Sequence, residues 1–299
     1  MFTGPIDILT GGFPCQAFSI AGSRRGFADE RGNLFWSIIE TVKQHEQHFG
    51  KKPRVLFLEN VRNLVGHDEG KTFKVIKGEI EKLGYTVKHH ALNTMEYSDL
   101  PQNRARIYMM CFLNEDDADR FTLFDTIDEK KKTFTKEERE QQVSQILGKT
   151  ADPKYYYTKE KYPHYFITQQ EYDAMPADKK AKTRINLVED ITEHNQFYQI
   201  RRGMYIRKNQ SNVCPTLTAN MGTGGHNVPL ILDDNGIRKI TPTEAMRLQG
   251  FPAGLTYDLP AKKDYRPYPD SGIYKQAGNA VSVPVIQFLA TEILKVISR

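Results

Sequence analysis

Residues 55–61 read VLFLENV, and that stretch decides the fold. Val55 to Leu58 form an unbroken apolar run of strand length, and it stops at a carboxylate and an amide, Glu59 and Asn60. Runs of this kind belong to strands covered on both faces. Upstream, Ile6-Asp7-Ile8-Leu9-Thr10 is another β-rich run, ending at Gly11-Gly12. Between the two, Leu34, Phe35, Ile38, Ile39 and Val42 recur at helical spacing, with Gly50 as a stop. Downstream, Phe73, Ile76, Ile80 and Leu83 mark a second amphipathic helix closed by Gly84, and Arg106 to Leu113 (RIYMMCFL) reads as a buried strand. This alternation predicts an α/β fold with a mainly parallel sheet. Ligands of such sheets bind beyond the carboxyl ends of the strands.

The chain has 299 residues, room for one large domain or two modest ones, and 39% of them are hydrophobic. That is too apolar for a disordered chain, and no collagen-like period is present. No stretch reads as an uninterrupted membrane span, and the start MFTGPIDILTGG lacks the pattern of a secretory signal. Cys15, Cys111 and Cys214 are odd in number and far apart, which argues against a disulfide framework or a zinc site and fits a cytoplasmic setting. The net charge of +5 permits nucleic acid without demanding it. The local pattern is sharper. From His194 to Leu232 there is no Asp or Glu, while Arg201, Arg202, Arg207 and Lys208 fall inside among many Asn and Gln residues. Arg, Asn and Gln are the side chains whose paired donors and acceptors read base edges. A polar loop region with a positive bias is the plainer reading.

The middle changes character. Residues 125–145 are highly charged, and residues 153–172 are rich in Tyr, Lys and Pro, a weak boundary. Near the end, Val283, Ile286, Leu289, Ile293 and Ile297 sit at helical spacing and need a core.

Three constellations carry chemistry. Cys15 follows Gly11-Gly12-Phe13-Pro14 just past a strand end, so it is either a nucleophile or one more small buried residue. Glu59, at the end of a buried strand, suits a general acid, or else lies solvated beside a capping Asn60. Arg104 and Arg106, two apart on an extended segment, point the same way and suit an anion or carbonyl in a pocket, or form an edge salt bridge. A thiol, a carboxylate and two guanidinium groups at one end of a sheet are what nucleophilic addition to an electron-poor ring requires.

At this point the chain resembles the DNA cytosine-5 methyltransferases of bacterial restriction–modification systems. The resemblance rests on GGFPCQAFSIAG (11–22), RGNLFWSII (31–39), FLENV (57–61), QNRARIY (102–108), RKITPTEAMRLQGFP (238–252) and QAGNAVSVP (276–284), in that family's order. It implies a Rossmann-like methyltransferase sheet plus a smaller, irregular, mostly β target-recognition domain. It implies S-adenosyl-L-methionine as cofactor, double-stranded DNA as substrate, and base flipping, because the ring carbons are out of reach inside a stacked duplex. Cys15 would add to cytosine C6, Glu59 would hold N3, and Arg104 and Arg106 would bind the flipped base. Pro14, Leu34 and Asn279 match cofactor contacts. Gln16, Ser19, Arg24 and Arg31 lie in a stretch resembling the mobile DNA-closing loop. Arg201, Arg202, Thr216 and Asn220 lie where recognition residues would be.

The expected division is residues 1–165 catalytic, 166–237 target recognition, 238–272 a bracing hinge, and 273–299 a C-terminal helix packing back on the catalytic part. The resemblance departs at the front. The family's Phe-x-Gly-x-Gly turn and its ribose-holding acid precede the cysteine motif, whereas Cys15 lies fourteen residues from Met1 and no Phe-x-Gly-x-Gly occurs anywhere. The expectation is a truncated chain or one part of a split enzyme, completed by a missing unit or a second subunit. The alternative is a non-catalytic, DNA-binding remnant. The resemblance places the protein in a bacterial cytoplasm, at the nucleoid.

Overall fold

A computed structural model describes residues 3–14, 33–178, 180, 183–223, 227–252 and 269–298. The chain divides into two compact units: residues 1–93, 105–131 and 288–299, and residues 94–104 with 132–287.

The first unit is built on a four-stranded sheet: β1 (Ile8–Gly12), β2 (Val55–Val61), β3 (Thr86–Asn93) and β4 (Ala105–Phe112), in the order β1-β2-β4-β3. β1 runs parallel to β2, and β4 runs antiparallel to both β2 and β3. The mainly parallel sheet expected from the alternation is therefore a mixed one. The cause is chain length. A parallel crossover needs about a dozen residues or more, usually a full helix. Residues 94–104, which join β3 to β4, hold only the single turn Thr94–Tyr97.

Two helices, α1 (Asn33–Phe49) and α2 (Lys71–Lys82), share one core with the sheet. Phe35, Ile39 and Val42 of α1 and Phe73, Ile76 and Ile80 of α2 pack with Leu56 and Leu58 of β2 and Ile107, Met109 and Cys111 of β4. The apolar positions that repeat at helical spacing are the ones that are buried. Gly50 and Gly84 end the two helices in the left-handed region, φ +69° and +92°, where a residue without Cβ is not strained. On the other face of β4, Phe112 meets Phe121 at 5.1 Å between ring centroids. Arg54 ties this unit to its C-terminal piece, with Nη1 donating to the Ile297 carbonyl at 2.8 Å and Nε donating to Asp117 at 2.5 Å.

The second unit carries a smaller antiparallel sheet, β5 (Tyr198–Arg201), β6 (Tyr205–Lys208), β7 (Leu230–Asp233) and β8 (Gly236–Lys239), in the order β6-β5-β7-β8. Its central tie is Arg238, which is fully buried. Arg238 Nη1 and Nη2 donate to Glu244 at 2.8 and 2.9 Å, Nε donates to Asp233, and Nη2 also reaches the Gly148 carbonyl at 3.0 Å. Burial pulls its pKa down, and the bonds to Glu244 and Asp233 more than offset that, so it stays charged. Glu244 also closes a capping box with Thr241 at the start of helix Pro242–Leu248.

Asp270–Ile297 holds no uninterrupted apolar run of membrane-span length, although its average composition is apolar enough to cross a membrane. It is not one helix. The backbone breaks at Ala280, ψ 161°, leaving helices Asp270–Asn279 and Val283–Ile297, and Leu289 and Ile293 of the latter are fully buried.

Candidate active site

In the first unit, β1 and β2 end side by side. Gly12 lies opposite Glu59 in the parallel register. A Cβ at Gly12 would sit 3.5 Å from Glu59 Oε2, so the carboxyl group lies against the end of β1. One residue further, Asn60 is buried, and its Nδ2 donates to the Phe13 carbonyl at 2.5 Å. Asn60 Oδ1 accepts from the Val61 N–H at 2.9 Å. Asn60 is thus no helix cap. It pins the chain that leads into Pro14 and Cys15.

Glu59 has a second neighbour. Arg106 Nε lies 2.9 Å from Glu59 Oε1, and the two side chains are 13% and 20% exposed. The register explains the meeting: Glu59 pairs with Tyr108, two residues from Arg106 on β4, so the three side chains share a face. The ion pair fixes the carboxylate in a half-dry site. Such a group can hold a proton or accept an N–H at a fixed place.

Arg104 does not join this pair. It precedes β4 and belongs to the second unit. It is buried, with Nη1 on the Leu217 carbonyl at 3.0 Å and Nη2 on the Ala280 and Gly278 carbonyls at 2.6 and 3.3 Å. The two-residue spacing put both guanidinium groups on one strand face, but residue 104 lies outside the strand, so the argument does not apply to it. Arg104 clamps the loop at 217 to the helix end at 278–280.

The remaining expected residues fall as follows. Cys15, Gln16, Ser19, Arg24 and Arg31 lie outside the described residues. Pro14 is half-buried beyond β1, and Leu34, in the first turn of α1, is 48% exposed. Asn279 is exposed at the last position of helix Asp270–Asn279. Arg201 and Arg202 are exposed at the turn from β5 to β6, where Arg202 and Gly203 both take left-handed φ, 54° and 66°. Thr216 donates through Oγ1 to the Asn103 carbonyl at 2.6 Å. Exposed Asn220 accepts from the Thr218 hydroxyl through Oδ1 and from Thr223 Oγ1 through its carbonyl, at 2.7 Å in the latter case.

Gly222 does not open the backbone to a ligand: a Cβ there would sit 2.3 Å from the Ser271 carbonyl oxygen, so the glycine serves internal packing. Gly224 and Gly225 lie outside the described residues. The other two cysteines are excluded as nucleophiles. Cys111 and Cys214 are buried, and burial pushes both thiols up, which keeps them protonated. The site residue that sequence reasoning missed is Asn60. Its signal was present, an amide one residue past the end of an apolar run, but its partner carbonyl lies 47 residues away.

The model of the C-5 cytosine-specific DNA methylase family matches residues 2–295. The chain is 42% identical over 290 residues to the type II methyltransferase M.Bsp6I of Bacillus sp. (strain RFL6), covering 97% of this chain and 79% of that protein. It is 34% identical to M.SsoII of Shigella sonnei, spanning 64% of that protein's length, and 34% identical to M.HpaII of Haemophilus parainfluenzae, spanning 72%. Among solved structures, the fold resembles the Dnmt2 methyltransferase of S. pombe, with a TM-score of 0.58 at 17% identity, covering 97% of this chain and 78% of that one. On these grounds the chain belongs to the C-5 cytosine-specific DNA methylase family.

Proposed function

We propose that this chain methylates C5 of a flipped cytosine in a specific double-stranded DNA sequence. The observation that carries the reading is the Glu59–Arg106 pair at 2.9 Å, set beside the end of β1 that runs into Pro14-Cys15. The thiolate of Cys15 adds to C6, and the ring electrons move toward N3, where Glu59 holds a proton. C5 becomes nucleophilic and would take the methyl group of the bound donor, the donor's sulfur–methyl bond breaking as the carbon–methyl bond forms and its electron pair staying on sulfur. Loss of the C5 proton to a base and departure of the Cys15 thiolate restore the ring double bond. Arg106 keeps Glu59 aimed at N3 and balances its charge in a site of low dielectric.

S-adenosyl-L-methionine, the methyl donor of this family, supplies an electrophilic methyl group. The described residues offer it a partial fit: Leu34 presents an exposed apolar side chain in the first turn of α1, suited to an aromatic ring, and Pro14 and Asn279 are the other candidates. The remainder of that pocket comes from a unit that pairs with the edge of β1 left without a ladder among the described residues, either further sequence of the same polypeptide or a second subunit. Support for this is that β1 is an edge strand whose only ladder among the described residues is the one to β2. An open edge of this kind invites another strand.

Sequence choice belongs to the second unit. The exposed Arg201 and Arg202 at the β5–β6 turn are suited to base edges or phosphates.

A duplex carrying 5-fluorocytosine tests the reading. Fluorine cannot leave as a proton does, so a working site stops at the covalent adduct. With methyl donor and any completing subunit present, the chain forms an adduct and the Cys15→Ala variant forms none. Equal duplex binding by both proteins without an adduct in either overturns the enzyme reading in favour of a DNA-binding remnant.

A further inference from the structure

A cleft of about 720 Å³ opens in the first unit where the chain leaves β2. Arg62, Asn63, His67, His89, His90 and Ile107 line it. Four of these side chains are basic or can become so, and no carboxylate is among the lining residues. Arg62 is exposed and has no acidic partner among the described residues.

His89, Ala91 and Ile107 line the cleft from the face of the sheet away from the Glu59–Arg106 pair, while His90, which pairs with Tyr108, faces the other way and borders the cleft at the edge of β3. Ile107 pairs with Asn60, while Glu59 pairs with Tyr108. Neighbouring residues on a strand face opposite sides, so Ile107 and the Glu59 carboxyl group lie on opposite faces of the sheet.

The surroundings keep the cleft electropositive. Asp68 and Glu69, the nearest acids on the loop, are occupied by Lys71, at 4.0 and 3.3 Å. Asp128 lies 3.8 Å from His90 Nε2 but only 2.9 Å from Lys131. His67 is fixed by Nδ1 at 2.7 Å from Thr72 Oγ1, and the loop turns through three left-handed residues, Asp68, Glu69 and Gly70. His89 packs against Phe73 in a tilted arrangement at 4.7 Å between centroids. Its pKa is lowered, first by burial and then by the positive field of Lys77 and His90. An anion relieves that field.

We infer that this cleft binds a phosphate group, and that in the working protein the group is a backbone phosphodiester of the DNA substrate. The choice of source rests on the methyltransferase reading, and on position. Arg62 stands three residues past Glu59, beyond the carboxyl end of β2, where ligands of α/β sheets bind. A guanidinium fork and imidazole donors suit phosphate oxygens, and the open trough has room for a length of backbone.

The test uses the full chain with two probes. Inorganic phosphate is titrated while the ring resonances of His67, His89 and His90 are followed by NMR. Duplex affinity is measured across a range of salt concentrations for Arg62→Gln and for Lys43→Gln on α1, the latter controlling for loss of any surface charge. Phosphate shifts the three rings. Arg62→Gln weakens duplex binding about tenfold at low salt and lowers the slope of log K against log salt by about 1, the loss of one phosphate contact, whereas Lys43→Gln leaves the slope unchanged. Ring shifts with an unchanged slope keep the phosphate site and overturn its DNA source in favour of a free phosphate compound. Unmoved rings together with an unchanged slope overturn the site. A wild-type chain that binds no duplex even with any completing subunit present removes the methyltransferase reading, and the phosphate titration still decides the cleft.

Discussion

Asn60 and Phe13, 47 residues apart, are joined by a 2.5 Å hydrogen bond from Nδ2 to the main-chain carbonyl. Both residues are buried, so the carbonyl has no water to replace the amide if it is removed. Leaving a buried polar group unpaired costs about 1–3 kcal/mol. Asn60→Ala should lower stability by about that amount in denaturant melts. It should also slow adduct formation on the 5-fluorocytosine duplex, because the chain entering Pro14-Cys15 loses its anchor. Asn60→Asp should do worse, since a carboxylate faces the carbonyl it can no longer bond. Melts and trapping rates equal to wild type would remove Asn60 from the positioning role.

Glu59 and Arg106 should behave as a unit. Their side chains are only 20% and 13% exposed, so the pair is worth more than the 0–1 kcal/mol typical of surface pairs. Glu59→Gln keeps the size and should cut methyl transfer about 10²–10⁴-fold, the range of general acid–base catalysis, with duplex affinity held within a few-fold. Arg106→Met leaves the carboxylate without its cation and should cost both activity and stability. In a double-mutant cycle the double variant should lose less than the two single losses added together. Additive losses would show that the 2.9 Å contact does not couple them.

The first unit was legible where packing follows local period. Phe35, Ile39, Val42, Phe73, Ile76 and Ile80 announce their helices because each helix has one buried stripe. RIYMMCFL announces β4 because both its faces are covered. Strand β3, TVKHHALN, was not legible. It is an edge strand with few fully buried positions, and its histidines and lysine carry no apolar alternation. The phosphate cleft was hidden for the same reason, since the pairing of β3 with β4 brings His89 and Ala91 beside Ile107. Glu59 and Arg106 were legible as chemistry from their places at strand ends. The clamp role of Arg104 was not, because its carbonyl partners lie 113 to 176 residues away.

Arg238 should be the most sensitive position of the second unit. Its guanidinium is shared among Asp233, Glu244 and the Gly148 carbonyl, and Tyr156 donates to the same Asp233 at 2.8 Å. Removing one partner of a buried network leaves uncompensated charge and costs about 3–5 kcal/mol. Arg238→Met should therefore unfold this unit at markedly lower denaturant. Arg238→Lys should recover only part of the loss, because an ammonium group lacks the fork. Equal midpoints for Arg238→Met and wild type would show that the network is dispensable.

Gly278 and Gly78 should respond oppositely to alanine. A Cβ at Gly278 would lie 2.1 Å from the Thr218 carbonyl carbon and 2.3 Å from the Ala219 nitrogen, both main-chain atoms that cannot step aside cheaply. Gly278→Ala should destabilise by about 1–3 kcal/mol or more, the range for overpacking. Gly78, in α2, has open space where an alanine methyl group would sit, with nothing within 4 Å. Gly78→Ala should stabilise by up to about 1 kcal/mol through helix propensity. Thermal melts of the two variants decide the matter, and a fall at both positions would contradict the packing at Gly78.

Asp117 should govern the acid limb of stability. Its carboxylate is fully buried, bonded to Arg54 at 2.5 Å and paired with Arg120. The hydrogen bond from Arg54 chiefly holds its pKa below the ordinary value of 3.8, against the pull of burial. A group whose folded pKa is depressed contributes stability that is present above the unfolded value and is lost as pH falls through the folded one. Wild type should keep this contribution at neutral pH and lose it below about pH 4. Asp117→Asn removes the titration, so the stability gap between wild type and variant should be full at pH 7 and shrink steadily under acid. A gap that stays constant from pH 7 to about pH 3 would show that the Arg54 bond does not depress the Asp117 carboxyl.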